Sequence, residues 1–371
     1  MKPTIIIPGI KGTKLADTNT LDFDVIWSGL QSKYETIYDL ALDAKAKFEQ
    51  SPESIIERSD VEDLAYKEAF YIIKRKLGGR VYIFGYDWRR SCVDNGKKLK
   101  AFVEYLKAKL GETSFNFITH SMGGIVFACF LKTLRGDYSC LEKATLTVCP
   151  FKGSINAFIG LIKGEGGIKF PFLNPNDEFR KIARTFPSVY ELCPTYKNAV
   201  TFEPGHNLSG QDFDVINPKH WQSNIQNDPI FVQRLNELKD FLTDNPGMLN
   251  LARLNKKIRD KLLIVLGIGE KTKHSVVIRA QDKTGRVSNF FDFDHEKADG
   301  DGDGTVPVES SAFYKNAILT LSVESKWYDQ ANHGFFLNDG RVQSVIRRFF
   351  AGDTRAPQWW SDIGGTVQRK T

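Results

Sequence analysis

Ser121 stands in F-N-F-I-T-H-S-M-G-G, residues 115–124, where an apolar, strand-like run stops at a serine and a helical pattern follows. That order is the sequence form of a nucleophile elbow, in which a strand turns sharply into a helix and presents a serine hydroxyl at the tip. The turn demands small neighbours. Gly123 and Gly124 supply them, and Thr119 occupies the place where the usual pattern has glycine. A serine becomes a useful nucleophile only with a base to take its proton and an acid to orient that base. Asp303, in G-D-G-T-V-P, and His333, in A-N-H-G-F-F, follow Ser121 in chain order. The roles this assigns are specific: Ser121 attacks an acyl carbonyl, His333 takes and later returns its proton, and Asp303 holds the imidazole in the productive tautomer.

Acyl transfer also needs donors for the oxyanion. Residues 4–8, T-I-I-I-P, form a short buried-strand pattern followed at once by G-I-K-G. Glycines there let the backbone approach a ligand closely, so the N–H groups of Ile10 and of Met122, the residue after the nucleophile, are the expected oxyanion hole. Plainer readings stand beside these. A serine before two glycines also serves as a helix N-cap. The run D-G-D-G-D-G at 299–304 is compatible with a solvated turn or a calcium loop, although Ser310 stands where an EF-hand requires glutamate. No metal or organic cofactor is needed for the chemistry, because the chain supplies nucleophile, base and donors.

Positioning such groups calls for strands that end in loops. Candidate strands fall at residues 4–8, 81–84, 115–119, 144–149, 262–267 and 317–323, and helices at 61–77, 95–110, 122–134 and 341–350. Their alternation predicts an α/β fold with a mostly parallel central sheet covered by helices on both faces. The order Ser, Asp, His makes it an α/β-hydrolase fold. Between residue 151 and about 260 the strand rhythm fails and Gly, Pro and Asn multiply, which predicts an inserted cap or lid containing a helix at 230–242. The core then comprises residues 1–150 and 261–350, with a smaller insertion near 16–60 and a C-terminal tail at 351–371. Residues 276–293 read as a β-hairpin with K-T-G at its tip. Residues 158–173, apolar and glycine-rich, fit a mobile lid that meets lipid or lines an acyl channel, or a loop packed on the cap's own core. Trp359 and Trp360 fit a membrane interface or a packed tail. Asp87 and Arg89 are expected to form a structural ion pair in the wall of the site.

Composition sets outer bounds. The chain has 371 residues, 41% of them hydrophobic, enough for a sizeable core. Its 51 basic and 45 acidic residues give a net charge of +6, without the interleaved basic and aromatic clusters of a nucleic-acid binder. This mild charge favours an anionic lipid surface weakly. Five cysteines at positions 92, 129, 140, 149 and 193 show no metal-ligand spacing and lie largely in apolar runs, as expected for reduced thiols in a cytoplasmic protein. Neither a signal-peptide pattern nor an apolar run long enough to span a bilayer is expected.

Taken together, P-G-I-K-G-T-K-L near the start, G-Y-D-W-R at 85–89, H-S-M-G-G, P-F-K-G-S at 150–154, F-P-S-V-Y-E-L-C-P at 186–194, G-D-G-T-V-P and N-H-G make a pattern. The chain resembles the lecithin:cholesterol acyltransferase-like family of phospholipid acyltransferases and lysosomal phospholipase A2 relatives. The motifs run in family order over about residues 3–340. The resemblance implies acyl transfer from a phospholipid or related lipid ester through an acyl-serine intermediate. The acceptor is water in a phospholipase and an alcohol such as a sterol in an acyltransferase; a third alternative is a lipid-binding protein with vestigial machinery. Lipid-like ester is the expected partner, with peripheral membrane contact through the cap and no nucleic acid.

Overall fold

The computed structural model describes residues 1–18, 24–28, 40–42, 56–163, 180–222, 225–243, 247–280, 300–324, 333–353, 355 and 367–369. Its centre is a seven-stranded sheet. The strands used below are β1 (Thr4–Ile7), β2 (Thr13–Asp17), β3 (Asp24–Trp27), β4 (Ile56–Val61), β5 (Val81–Ile83), β6 (Phe115–His120), β7 (Leu141–Thr147), β8 (Val200–Phe202) and β9 (Leu262–Ile268). They continue with β10 (Glu270–Thr272), β11 (Val276–Ile278), β12 (Gly300–Gly302), β13 (Leu319–Glu324) and β14 (Val367–Arg369). The sheet order is β14-β13-β9-β7-β6-β1-β5. Every pairing is parallel except that of β14 with β13.

The strands are apolar on both faces because both faces are covered. Ile5, Ile7, Phe115, Phe117, Leu262 and Ile264 belong to one core, against Leu99 and Val103 of helix α2 (Cys92–Leu110) and Ile125 and Phe127 of helix α3 (Gly123–Thr133). Ile6, Ile118, Leu263, Val265 and Leu321 belong to the other. There they meet Ala69 and Ile73 of helix α1 (Asp63–Leu77) and Val342, Val345 and Phe349 of the helix Gly340–Ala351. Helices α1 and α2 stop at Gly78 and Gly111, both left-handed, with each glycine N–H closing the last turn. The six expected parallel strands and their covering helices thus exist, and the fold class is as expected.

Between β7 and β9 no described residue joins the sheet. Helix α4 (Ile155–Lys163), the short helix Pro187–Glu191 and the helix Pro229–Leu242 occupy that interval. Phe158, Phe213, Trp221, Phe231 and Tyr190 pack ring on ring among them. The region near 16–60 contributes to a separate antiparallel sheet, β3-β2-β4. The Arg89 guanidinium pins that region to the core: it binds Asp87 through two bonds and donates to the carbonyls of Leu40 and Ile56. Burial pushes the Asp87 carboxyl up, but the charges and hydrogen bonds of Arg89 and Arg90 outweigh it and hold the group below its ordinary range.

Three details differ from the sequence pattern. The first part of the glycine-rich segment at 158–173 is helical, with Phe158, Ile159, Leu161 and Ile162 fully buried; residues 164–173 lie outside the described set, as do Trp359 and Trp360. Strand β11 pairs in parallel with β8, 76 positions earlier in register (Val276 with Val200), instead of with its own neighbour; most of the expected hairpin, from residue 281, lies outside the described set. The tail at 351–371 returns to the core, where β14 forms the sheet's antiparallel edge.

Candidate active site

The sheet order puts β1 between β5 and β6, so the chain leaves β1 in one direction and β6 in the other. Such a switch point opens a crevice at the carboxyl ends of the two strands. Ser121 follows β6 there, and Gly9 and Ile10 follow β1. Ser121 has φ 53°, the left-handed region that ordinary residues rarely adopt. Its N–H donates to the Thr147 carbonyl of β7 (3.0 Å), which helps to hold the turn. The tight approach explains the glycines: a Cβ on Gly123 would run into the Ile7 and Pro8 carbonyl oxygens, and one on Gly124 into Cys149 Sγ. Thr119 is accommodated because it is the last-but-one residue of the strand proper, fully buried with its hydroxyl 3.5 Å from Cys149 Sγ.

The structure brings Ser121, His333 and Asp303 together from three places in the chain. The Ser121 hydroxyl lies 2.9 Å from His333 Nε2, and His333 Nδ1 lies 2.8 Å from Asp303 Oδ2. A carboxylate only accepts, so Nδ1 carries the hydrogen and Nε2 keeps the lone pair that takes the Ser121 proton. Asp303 is 2% exposed and cannot rotate freely, since its Oδ1 accepts the N–H groups of Thr305 (3.0 Å) and Val306 (2.7 Å). The His333 N–H donates to the Asp303 carbonyl (3.2 Å), joining the two loops through the main chain as well. In the D-G-D-G-D-G run, Asp301 accepts from the Gly269 N–H and β12 pairs with β10, so the Asp301 carboxylate serves the backbone.

Among the described residues, no backbone hydrogen bond is donated by the N–H of Ile10 or of the fully buried Met122. Ile10 lines the cavity above Ser121. The turn that presents it is closed by Gly12 N–H to the Gly9 carbonyl (3.1 Å).

A second hydrogen-bonded chain, absent from the sequence expectations, supports this arrangement from behind. His120 Nε2 lies 2.7 Å from the His333 carbonyl, His120 Nδ1 lies 2.7 Å from the Tyr66 hydroxyl, and the Gly9 N–H donates to that hydroxyl (2.9 Å). Only one assignment satisfies all three groups. A carbonyl only accepts, so His120 Nε2 carries the hydrogen; Tyr66 must then donate to Nδ1 and accept from Gly9. Burial, with the neighbouring His333, pulls the His120 pKa down to about 3, which keeps the ring neutral as this assignment requires. Burial also raises the Tyr66 phenol above its ordinary value, so it stays a donor. His120 was visible in the sequence as the residue before Ser121; its partner Tyr66 on α1 is 54 positions away and carried no signal.

The cavity over Ser121 measures about 490 Å³. Ala157, Gly160, Ala183, Phe186, Val189 and Leu192 give it an apolar wall, while Lys11, Glu62, Ser154 and Asn156 are polar. Glu191, which follows in the same segment as Val189, turns away from it. It accepts the Ser91 hydroxyl and the Cys92 N–H (2.7 Å) at the start of α2, and burial raises its pKa to about 7 against those hydrogen bonds. All five cysteines are buried and unpaired. No described helix is long and apolar enough to cross a membrane.

A parallel sheet with this switch point, a serine in a left-handed turn after β6 and loops following β9 and β13 make the α/β-hydrolase fold. Residues 78–242 match the family model described as lecithin:cholesterol acyltransferase. The matched stretch contains Ser121 but ends before Asp303 and His333. Lecithin-cholesterol acyltransferase-like 4 of Arabidopsis thaliana is 21% identical, covering 94% of this chain and 75% of that protein. Phospholipase A(1) LCAT3 of the same plant is 25% identical over 74% of this chain and 66% of its own length. Among solved structures, a chain of the Tle4–Tli4 complex superposes with a TM-score of 0.66 at 14% identity, covering 95% of this chain and 98% of that one. That likeness concerns the fold.

Proposed function

We propose that the protein is a serine-dependent acyl-ester hydrolase acting on phospholipid or related lipid esters through an acyl-serine intermediate. The observation that carries this reading is the unbroken hydrogen-bonded path Ser121–His333–Asp303, with 2.9 and 2.8 Å links, at the floor of a largely apolar cavity. His333 Nε2 takes the Ser121 proton as Oγ attacks the acyl carbonyl, and the resulting imidazolium is held by Asp303. The N–H groups of Ile10 and Met122 receive the oxyanion, worth several kcal/mol in a transition state where ground-state contact is weaker. His333 then returns the proton to the departing alcohol. Water, activated by the same imidazole, releases the acyl group. The family likeness and the apolar wall favour a lipid acyl chain as the occupant, and residues 151–260 act as the cap over it. Five buried unpaired thiols fit a cytoplasmic location, with contact at a membrane through the cap.

A second reading replaces water by an alcohol acceptor, making the protein an O-acyltransferase; the family model supports it as directly as it supports hydrolysis. Purified wild type and Ser121→Ala, incubated with mixed phospholipid vesicles with and without sterol or long-chain alcohol, separate the two by product mass. Fatty acid and lysolipid formed only by wild type mark a phospholipase, and new esters of the added alcohol mark an acyltransferase. Equal product from both proteins would remove Ser121 from the mechanism.

A further inference from the structure

The aromatic residues of G-Y-D-W-R hold the segment that presents Ile10. Residues 8–13 lead from β1 into β2. The Tyr86 hydroxyl donates to the Pro8 carbonyl at the start of that segment (2.7 Å), and Trp88 Nε1 donates to the Thr13 carbonyl at its end (2.9 Å). The Tyr86 N–H also donates to the Thr13 hydroxyl (3.3 Å). Both side chains are buried, and the Tyr86 ring lies nearly parallel to that of Phe84, with 16° between the planes and centroids 5.8 Å apart. Burial raises the Tyr86 phenol far above its ordinary pKa, so it keeps the proton that it donates.

Peptide units are planar, so fixing one end of a unit fixes the direction of the other. The Pro8 carbonyl and the Gly9 N–H belong to the same unit. Tyr86 binds the first, and the Tyr66 hydroxyl binds the second (2.9 Å). In the next unit the Gly9 carbonyl accepts the Gly12 N–H (3.1 Å), and the opposite end of that unit is the Ile10 N–H. Two tyrosines and one turn bond therefore set where Ile10 points. Pro8 is also where this segment meets the nucleophile turn: a Cβ on Gly123 would run into its carbonyl oxygen. Met122, the second expected donor, directly precedes Gly123.

We propose that Tyr86 is a positioning residue for the oxyanion hole, aiming the Ile10 N–H through the Pro8–Gly9 peptide and setting its placement relative to Met122. This rests on the hydrolase reading, in which Ile10 is one of the two donors. Loss of the hydroxyl would leave the Pro8 carbonyl unmatched and let the peptide tilt. Removing an oxyanion donor costs about 10²–10³ in kcat, so misdirecting one should cost about tenfold.

Tyr86→Phe removes one oxygen and keeps the ring; thermal unfolding would establish that the variant is folded. With p-nitrophenyl butyrate, kcat should fall about tenfold while KM stays within about twofold. The decisive comparison uses a short-chain alkyl trifluoromethyl ketone and the matching trifluoromethyl carbinol. Ser121 Oγ adds to the ketone carbon, its proton passes to His333, and the former carbonyl oxygen becomes an oxyanion; the carbinol undergoes no such addition. Affinity for the ketone should fall by the same factor as kcat, with carbinol affinity and the pH profile of kcat/KM unchanged. Equal weakening of both ligands would make Tyr86 a general support of the cavity, and a shifted pH profile would route its effect through His333; either overturns the proposal. A wild type that turns over the ester and binds the ketone, matched by Tyr86→Phe in both, overturns the proposal alone. A wild type that does neither overturns the hydrolase reading and the proposal with it.

Discussion

Tyr66→Phe removes one oxygen and keeps the ring, which packs edge-on to His120 with centroids 5.6 Å apart. Two buried groups lose their partner at once, the Gly9 N–H and His120 Nδ1. Leaving a buried polar group unsatisfied costs about 1–3 kcal/mol, so the pair should cost about 2–6 kcal/mol. His120 cannot recover by shifting its proton to Nδ1, because Nε2–H is needed at the His333 carbonyl. For a chain of this length about 1 kcal/mol lowers the melting temperature by roughly 1.3 °C, which gives a fall of about 3–8 °C. Gly9 precedes the proposed oxyanion donor, and His120 steadies the loop carrying His333. The loosened geometry should therefore lower kcat by about tenfold, with KM for a small soluble ester within about twofold. Thermal unfolding and steady-state hydrolysis of that ester measure both. A melting temperature within 1 °C of wild type together with unchanged kcat would show that Tyr66 positions nothing.

Other expectations concern packing and pH. Gly124→Ala places a Cβ against Cys149 Sγ and should destabilise by about 1–3 kcal/mol through overpacking. Adding Cys149→Ala should recover part of that loss, so unfolding of the double variant should show less than the sum of the single effects. Glu191 has its pKa raised from an ordinary 4.5 to about 7 in the folded protein. The folded state therefore binds more protons than the unfolded state between those values, and this contribution to stability is full below 4.5 and lost as pH rises through 7. Melting temperatures of Glu191→Gln measured from pH 4.5 to 8 should lack that component of the slope; an unaltered pH profile would contradict the assignment.

How far this molecule can be read from its residues depends on whether a feature is local. β1, β6 and β9 are apolar on both faces, so T-I-I-I, F-N-F-I-T-H and L-L-I-V-L-G-I announce buried parallel strands without any partner being known. Ser121 follows β6 of the parallel sheet directly, Asp303 follows β12 of a small antiparallel pair, and His333 opens a short helix after β13; their order along the chain was informative. The first part of the segment read as a lid or packed loop is helical in α4; the glycines at 164, 166 and 167 just beyond it hid where the helical run ends. β14, with the sequence V-Q-R, has no apolar run at all; it exists through main-chain pairing with β13. Tyr66 fell outside sequence reasoning for a similar cause, since one tyrosine among the polar and apolar positions of α1 looks like any other until its hydroxyl meets His120.

β14 also bears on how the protein coexists with copies of itself. Leu321, Ser322 and Val323 of β13 pair with Val367, Gln368 and Arg369. Without that short strand, β13 would border solvent with unmatched amide and carbonyl groups along an apolar segment, the kind of margin on which further chains dock and aggregate. Three residues whose sequence suggests no structure therefore act as a selvedge, finishing the sheet where it would otherwise fray into intermolecular contacts. Shortening the chain before residue 367, or fusing a bulky partner immediately after it, should affect solubility more than catalysis, since the loops around Ser121 gather at the carboxyl ends of β1 and β6, away from that border.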